Sequence, residues 1–178
     1  MPEIKTLSSK IVYENRWMKV REDAIERADG TRSIYGVVEK PDFAVVAAVQ
    51  DDVVYLVEQY RYPAGARYWE LPQGSWGSGS GGADELARTE LREETGIVAA
   101  SWQHVGRLHE AYGYAIQSFD VFLATGLTFG AQELEAEELG LVCKGFGVAA
   151  AIEMIRRGVI TDAVTVAAFG LLKMKDLV

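Results

Sequence analysis

A single cysteine, Cys143, occurs in the 178 residues, so no disulfide can close within the chain. A reducing compartment is the natural setting for such a sequence, and a cytoplasmic location is expected. Long apolar runs are also missing. The longest, such as Phe43–Val49, fall far short of the ~20 residues that a bilayer-spanning helix needs. Nothing near Met1 has the apolar stretch of a secretory leader, so no membrane association is expected. No segment repeats itself. Positive charge is scarce: 18 Lys and Arg stand against 26 Asp and Glu, for a net charge of −8. That argues against nucleic acid as a non-specific partner, because phosphate backbones are bound by Lys and Arg patches. It does not exclude a small phosphorylated ligand. An acidic site that handles a diphosphate must first recruit cations.

Hydrophobic residues make up 49% and charged residues 25%, which suits one globular body with a buried core. Lys10–Glu14 and Met18–Ala28 read as strands, with Asp29-Gly30 as a hairpin turn and Ser33–Glu39 returning. Pro41-Asp42 breaks the chain. Ala44–Gln50 and Val53–Gln59 form a second hairpin across Asp51-Asp52, and their unbroken apolar character suits strands buried on both faces. Trp102–Leu108 and Gln117–Ala124 read as later strands, and Gly126–Gly140 as an acid-rich loop. Val148–Arg157 reads as a helix closed by Gly158, and Thr161 or Asp162 as the cap of a deeply packed final helix. His104 and His109 read as ordinary strand residues. Strands and helices mixed in this way give an α/β sandwich.

The most informative segment is Glu85–Ile97, which contains Glu90, Glu93 and Glu94. At about 100° per residue, positions i, i+3 and i+4 lie on one side of a helix, so three carboxylates crowd one patch. Like charges at this spacing cost a few tenths of a kcal/mol each in an isolated helix. A divalent cation is the simplest compensation, and Mg²⁺ prefers oxygen ligands such as carboxylates and phosphate. The glycine-rich stretch Gly74–Gly82 precedes the helix, Asp84 is a plausible N-cap, and Gly96 stands where a left-handed residue ends a helix. Ala87 and Leu91 should face the core.

Tyr68-Trp-Glu-Leu-Pro-Gln-Gly74, the glycine loop and Glu90-Leu-Arg-Glu-Glu-Thr-Gly-Ile97 together resemble the signature of the Nudix hydrolases. Glu90, Leu91, Glu93, Glu94, Gly96 and Ile97 fall in register with it. Gly81 stands where the family carries a loop Glu, the loop is one residue longer, and Thr89 replaces the Arg before the first helix Glu. Val53–Pro63 and Gly158–Thr165 resemble segments of ADP-ribose and nucleotide-sugar pyrophosphatases, and residues 1–40 resemble the N-terminal strands with which that subgroup dimerises. The resemblance implies a Nudix-type α/β/α sandwich with a mixed sheet and an N-terminal antiparallel strand extension. It divides the chain into residues 1–40, serving dimerisation, and a hydrolase domain over 41–178.

The implied activity is metal-dependent hydrolysis of a nucleoside diphosphate linked to a sugar or similar group, releasing nucleoside monophosphate and a sugar phosphate. Glu90 and Glu94 would hold Mg²⁺, or Mn²⁺ in its place, with the backbone carbonyl of Gln73, and Glu93 would join them as a supporting or bridging acid at the metal and as a catalytic acid. The acidic loop would bring a further acid, Glu137 first and Glu135 second, with Glu138 a third option. Arg61 suits a phosphate, since guanidinium pairs with it bidentately. Glu70 would orient Arg61 or meet the sugar. Trp76, in a loop with few local packing partners, would close over the pocket or dock on a neighbour, and Tyr112 stands where specificity is set. Two alternatives stay open: Tyr112 at its distance past the motif resembles the dinucleoside polyphosphate hydrolases, and the departures at Gly81 and Thr89 leave room for a non-catalytic Nudix-fold module that binds a nucleotide metabolite. A homodimer is expected, because Ile11, Val12, Trp17, Met18 and Val20 offer more apolar surface than a peripheral hairpin needs.

Overall fold

The computed structural model describes residues 3–76 and 81–178; Gly77–Ser80 and the side chain of Glu137 lie outside the described part. The chain forms two compact units. The first comprises the residues up to Asp42 together with His109–Ser118. The second comprises Phe43–Leu108 and Phe119–Val178.

The first unit is an antiparallel sheet in the order β1 (Ile4–Glu14), β2 (Lys19–Arg27), β3 (Arg32–Glu39). The strand expected over Lys10–Glu14 begins six residues earlier, at Ile4. Ile4–Ser9 lacks an apolar run, and its strand character comes from pairing along β2, from Ile4 opposite Arg27 onward. Register shifts between Thr6 and Ser8 and between Ile11 and Tyr13 mark bulges that bend β1. Every residue of β1 is exposed, including Ile4, Leu7, Ile11, Val12 and Tyr13. The loop through Tyr114 docks on β3: the Val38 N–H donates to the Tyr114 carbonyl at 2.7 Å, and the Tyr35 hydroxyl donates to the Gly113 carbonyl at 2.6 Å.

The second unit is built on β4 (Phe43–Gln50), whose run Ala-Val-Val-Ala-Ala is buried throughout. Successive side chains on a strand point to opposite faces, so this one strand serves two cores. Val45 and Ala47 join a cluster with Val164, Ala168, Phe169 and Leu172 of α3 (Ala163–Met174) and with Val148 and Ala151 of α2 (Val148–Arg156). Ala44, Val46 and Ala48 join Leu86, Ala87 and Leu91 of α1 (Ala83–Thr95) on the other face. Helices therefore cover both faces of one sheet, the α/β/α arrangement. The small alanines of β4 let α1 lie close to the strand.

The sheet is mixed. β5 (Val53–Arg61) pairs antiparallel with β4, and β9 (Ser118–Phe129) pairs parallel with it, Phe43 opposite Phe119 and Ala48 opposite Ala124. β8 (Ile97–His109) lies beyond β9, and β10 (Val142–Gly147) beyond β5. β6 (Ala66–Glu70) pairs with β5, and the two-residue β7 (Gln73–Gly74) pairs with β4. The β4–β5 turn forms at Asp51 and Asp52, both left-handed with φ of 52° and 60°, as a two-residue hairpin requires. Among the described residues, no helix is long and apolar enough to cross a membrane.

Three local expectations change. Helix α1 is capped by Gly82 in an extended conformation, not by Asp84, which falls in the first turn and there favours the positive end of the helix dipole. The segment read as a loop from Gly126 is strand up to Phe129. The final helix is packed along one side, with Val164, Thr165, Ala168, Phe169 and Leu172 buried while Val166 is exposed. Gly96 closes α1 as expected, at φ 70°, and a Cβ there would lie 2.8 Å from the Ala131 carbonyl carbon. Asp162 caps α3, accepting from the Thr165 N–H at 2.8 Å. The buried Thr165 hydroxyl oxygen in turn accepts from the Leu71 N–H at 2.9 Å, which fixes the chain just before Gln73.

Candidate active site

Helix α1 directs Glu90 and Glu94 from its second half toward β7. Glu94 is only 1% exposed, and its Oε2 accepts from the Gln73 N–H at 3.0 Å. Glu90 packs against Gly74: a Cβ on that glycine would sit 2.5 Å from Glu90 Oε1. Glycine at position 74 thus leaves the Glu90 carboxylate the place it occupies, through a close approach and not through backbone conformation. The third acid comes from the 3₁₀ turn Ala136–Glu138. One oxygen each from Glu90, Glu94 and Glu138 lie within 4.8 Å of one another.

This set is all oxygen and all potentially anionic, which fits a hard divalent cation. The protonation of the ion-free site shows the strain. Burial, followed by the charges of Glu138, Glu93 and Glu135, pushes Glu90 up to about 8. Burial, then Glu90 and Glu138, holds Glu94 well above the ordinary carboxylate range, and the Gln73 N–H only partly opposes this. Glu93 is raised less, by burial first, with neighbouring Arg92 opposing and Glu135 assisting. Buried carboxylates that share a cage can be charged together only if a cation joins them.

The sign of the pH dependence follows. Groups whose folded pKa lies above the unfolded value stabilise the fold below the unfolded value, and that contribution is lost as pH rises through the folded one. The ion-free protein should therefore lose thermal stability between about pH 5 and about pH 9, with Glu90 setting the upper part of the window at about 8. A divalent cation favours the charged forms, so its stabilisation should be larger at about pH 8.5 than at about pH 6; at a hundredfold excess over Kd it amounts to about 2.7 kcal/mol. Scanning fluorimetry with EDTA or MgCl₂ at both pH values checks this. A pH-independent effect of the ion would contradict it.

The sequence-derived residues fall as follows. Glu90 and Glu94 are brought together as expected. Glu93, one residue away, is half-buried beside Arg92 at 3.5 Å and lies outside the trio. Glu138, the third option from sequence, completes the trio. Glu135 is exposed and forms a capping box with Glu138: the Glu138 carboxylate accepts from the Glu135 N–H at 2.9 Å, and the Glu135 side chain accepts from the Glu138 N–H. The side chain of Glu137 lies outside the described part.

Arg61 grips Glu70 through Nε at 3.2 Å and through Nη2 at 2.5 Å. Glu70 is 2% exposed, and Gln59 also donates to it at 2.8 Å. Burial raises Glu70 while Arg61 opposes the rise. The Glu70 carboxylate thus orients Arg61, whose side chain remains 41% exposed with N–H groups free of Glu70. Trp76 docks on a neighbour: it packs against the core beneath α1. A side chain in place of Gly81 would be crowded, its Cβ 2.9 Å from Trp76 and 2.6 Å from a Glu85 oxygen. Arg88 does not replace the absent arginine, because its guanidinium lies over the Trp102 ring at 4.7 Å. Tyr112 belongs to the first unit and is 84% exposed, edge-on to His109. His104 pairs with Asp120 at 2.7 Å. Burial, with Glu94 nearby, pushes the Cys143 thiol up to about 11, so it stays protonated and inert as a nucleophile.

Residues 40–138 match the NUDIX domain, and residues 4–38 match the nucleoside diphosphate sugar hydrolase N-terminal domain. The chain belongs to the Nudix family, and it is a hydrolase of nucleoside diphosphates linked to other moieties. It is 31% identical to an ADP-ribose pyrophosphatase of Mycobacterium tuberculosis (strain ATCC 25618 / H37Rv), over 93% of this chain and 81% of that protein. It is 26% identical to the ADP-ribose pyrophosphatase of Bacillus subtilis (strain 168), over 98% of this chain and 95% of that one. A methanol dehydrogenase activator of Bacillus methanolicus is 28% identical over 71% of this chain and 68% of its own. The fold matches a solved ADP compounds hydrolase with a TM-score of 0.87 at 21% identity, covering 100% of this chain and 98% of the other. Nudix hydrolases generally depend on a divalent metal, and a cluster of three carboxylates is present here among the described residues.

Proposed function

We propose that this enzyme hydrolyses the diphosphate bond of ADP-ribose or a related nucleotide sugar, releasing nucleoside monophosphate and a sugar phosphate, with Mg²⁺ as the working ion. The convergence of Glu90, Glu94 and Glu138 within 4.8 Å carries the reading. These three carboxylates would hold the ion, with the Gln73 carbonyl as a further oxygen. When bound, Mg²⁺ neutralises charge on the diphosphate and helps orient the attacking water. The Gln73 N–H fixes the Glu94 carboxylate, and Gly74 leaves room for that of Glu90. Arg61, held by buried Glu70, offers its outer N–H groups to a phosphate oxygen. Glu93, raised from its ordinary value chiefly by burial, suits proton transfer from water better than an unperturbed acid would. Glu135, whose charge raises Glu90 and Glu93, is an alternative for the same proton, and Glu137 is a further one by resemblance alone.

The exposed apolar side chains of β1 support a homodimer formed through the first unit. Light scattering at micromolar concentration should give twice the chain mass, and a monomer would contradict it. The lone Cys143 supports a cytoplasmic setting, and the net charge of −8 supports a small nucleotide over nucleic acid as partner.

The substrate test is direct. Purified protein with MgCl₂ is offered ADP-ribose, GDP-mannose, other nucleotide sugars and diadenosine polyphosphates, and nucleoside monophosphate is measured. AMP and ribose 5-phosphate should appear from ADP-ribose. Turnover of dinucleoside polyphosphates alone, or saturable binding with no turnover of any compound, would contradict the proposal.

A further inference from the structure

Glu138 can serve the site only if the segment that carries it is held in place. The first half of that segment is tied to the end of α1. The Gly130 N–H donates to the Gly96 carbonyl at 2.7 Å, the Glu133 N–H to the Glu93 carbonyl at 2.9 Å, and Gln132 Nε2 to the Glu94 carbonyl at 2.5 Å. Past Glu133 the bonds turn inward: the capping box of Glu135 and Glu138, then the Leu141 N–H to the Glu138 carbonyl at 2.9 Å. The second half needs its own tether, and it has one in Arg67 on β6.

Nη2 of Arg67 donates to the Gly140 carbonyl at 2.6 Å and to the Glu58 carbonyl at 2.8 Å. Its Nε donates to the Glu58 carboxylate at 3.0 Å. A surface Arg–Glu pair alone is worth about 0–1 kcal/mol and would carry no argument. The two carbonyls differ in kind. They belong to different segments, and both hydrogens of one nitrogen are used to join them. The guanidinium plane is locked by the Glu58 carboxylate, so it is preorganised for this bridge. Gly140, at φ 88°, makes the sharp bend beside it. Two residues on, Val142 enters the sheet opposite Glu58, so the same residue anchors Arg67 and the start of β10. The strand that carries Arg67 also leads into Gln73, whose N–H holds Glu94. One short stretch of chain thus sets acids arriving from two directions.

We propose that Arg67 is a positioning residue for Glu138: by clamping Gly140 it holds the 3₁₀ turn so that the Glu138 carboxylate meets those of Glu90 and Glu94. The inference rests on the reading of that trio as the ion site. It is tested by a double-mutant cycle in the full-length protein, with Mn²⁺ affinity measured by electron paramagnetic resonance and, in parallel, kcat and KM for ADP-ribose. Arg67→Ala should weaken Mn²⁺ binding and lower kcat by about tenfold, as loss of an outer support for a ligand does, with KM changed less than threefold or so. Arg67→Lys, able to reach one carbonyl but not to bridge two, should fall between. In the Glu138→Gln background, Arg67→Ala should change neither readout by more than about twofold. Amides of residues 131–141 should exchange faster in Arg67→Ala, while circular dichroism reports an intact fold. Equal losses from Arg67→Ala in both backgrounds would show a merely structural role and overturn the proposal, as would wild-type affinity and kcat in the folded Arg67→Ala and Arg67→Lys variants. If Glu138→Gln itself binds Mn²⁺ as the wild type does, the placing of Glu138 at the ion fails and the role of Arg67 fails with it. If Glu138→Gln is impaired and Arg67→Ala is not, only the proposal about Arg67 fails.

Discussion

Glu94→Gln should lower turnover by about three orders of magnitude while leaving the protein folded, because on the proposed reading it removes one anionic ligand of an ion that would contribute several kcal/mol to the reaction. The substitution is close to isosteric. Its amide oxygen can still accept from the Gln73 N–H, so the link between α1 and β7 survives. What disappears is a charge that is 1% exposed and already crowded by Glu90 and Glu138. Without ions, that charge is a burden on the fold. The variant should therefore melt at the same temperature as the wild type or higher in EDTA at about pH 8, and should gain less from added MgCl₂. This pairing separates a site defect from a folding defect. Steady-state kinetics and scanning fluorimetry check it together, and wild-type turnover in Glu94→Gln would remove Glu94 from the ion site.

Gly74→Ala should cost about a hundredfold in turnover, although it neither adds nor removes a charge. The new Cβ would fall on the Glu90 carboxylate, 2.5 Å from Oε1. That contact is with the far end of a flexible side chain, so Glu90 can swing away and the backbone need not move. The fold should survive with a modest loss, about 1–2 kcal/mol in urea unfolding. Displacing the Glu90 carboxylate by even about 1 Å breaks its convergence with Glu94 and Glu138, and rate is sensitive to errors of that size. Mn²⁺ affinity should fall in parallel with kcat. A Gly74→Ala enzyme with wild-type kcat and ion affinity would show that the Glu90 carboxylate does not need the place it occupies.

Much of this arrangement is legible in the sequence because it depends on period and punctuation. Ala87 and Leu91, four apart, mark the buried side of α1, and Gly96 ends it as its left-handed φ requires. Asp51-Asp52 between two apolar runs marks the β4–β5 hairpin. The rest depends on partners distant in sequence. Ile4–Ser9 becomes strand only because β2 lies beside it. β10 carries Gly145 and Gly147 in Val-Cys-Lys-Gly-Phe-Gly, which weaken any local strand pattern, and is a strand by its pairing with β5. Gly82 takes the cap of α1 although Asp84, two residues on, has the better side chain for it, because Gly82 is the residue in extended conformation before the first helical turn. Among the loop acids Glu133, Glu135, Glu137 and Glu138, composition favours none. The 3₁₀ turn decides, by directing Glu138 to Glu90 and Glu94 while Glu135 caps the turn. Arg67 gives no local signal at all, as the carbonyl it clamps lies 73 residues away.

On the proposed reading, Glu90, Glu94 and Glu138 together hold a divalent cation. Anomalous diffraction from crystals grown with MnCl₂ measures this without reference to any substrate. A peak bounded by oxygens of all three side chains, at the roughly 2.0–2.3 Å expected of a hard cation with oxygen ligands, is the predicted result. Density for the three carboxylates turned apart, with no manganese between them, would contradict it.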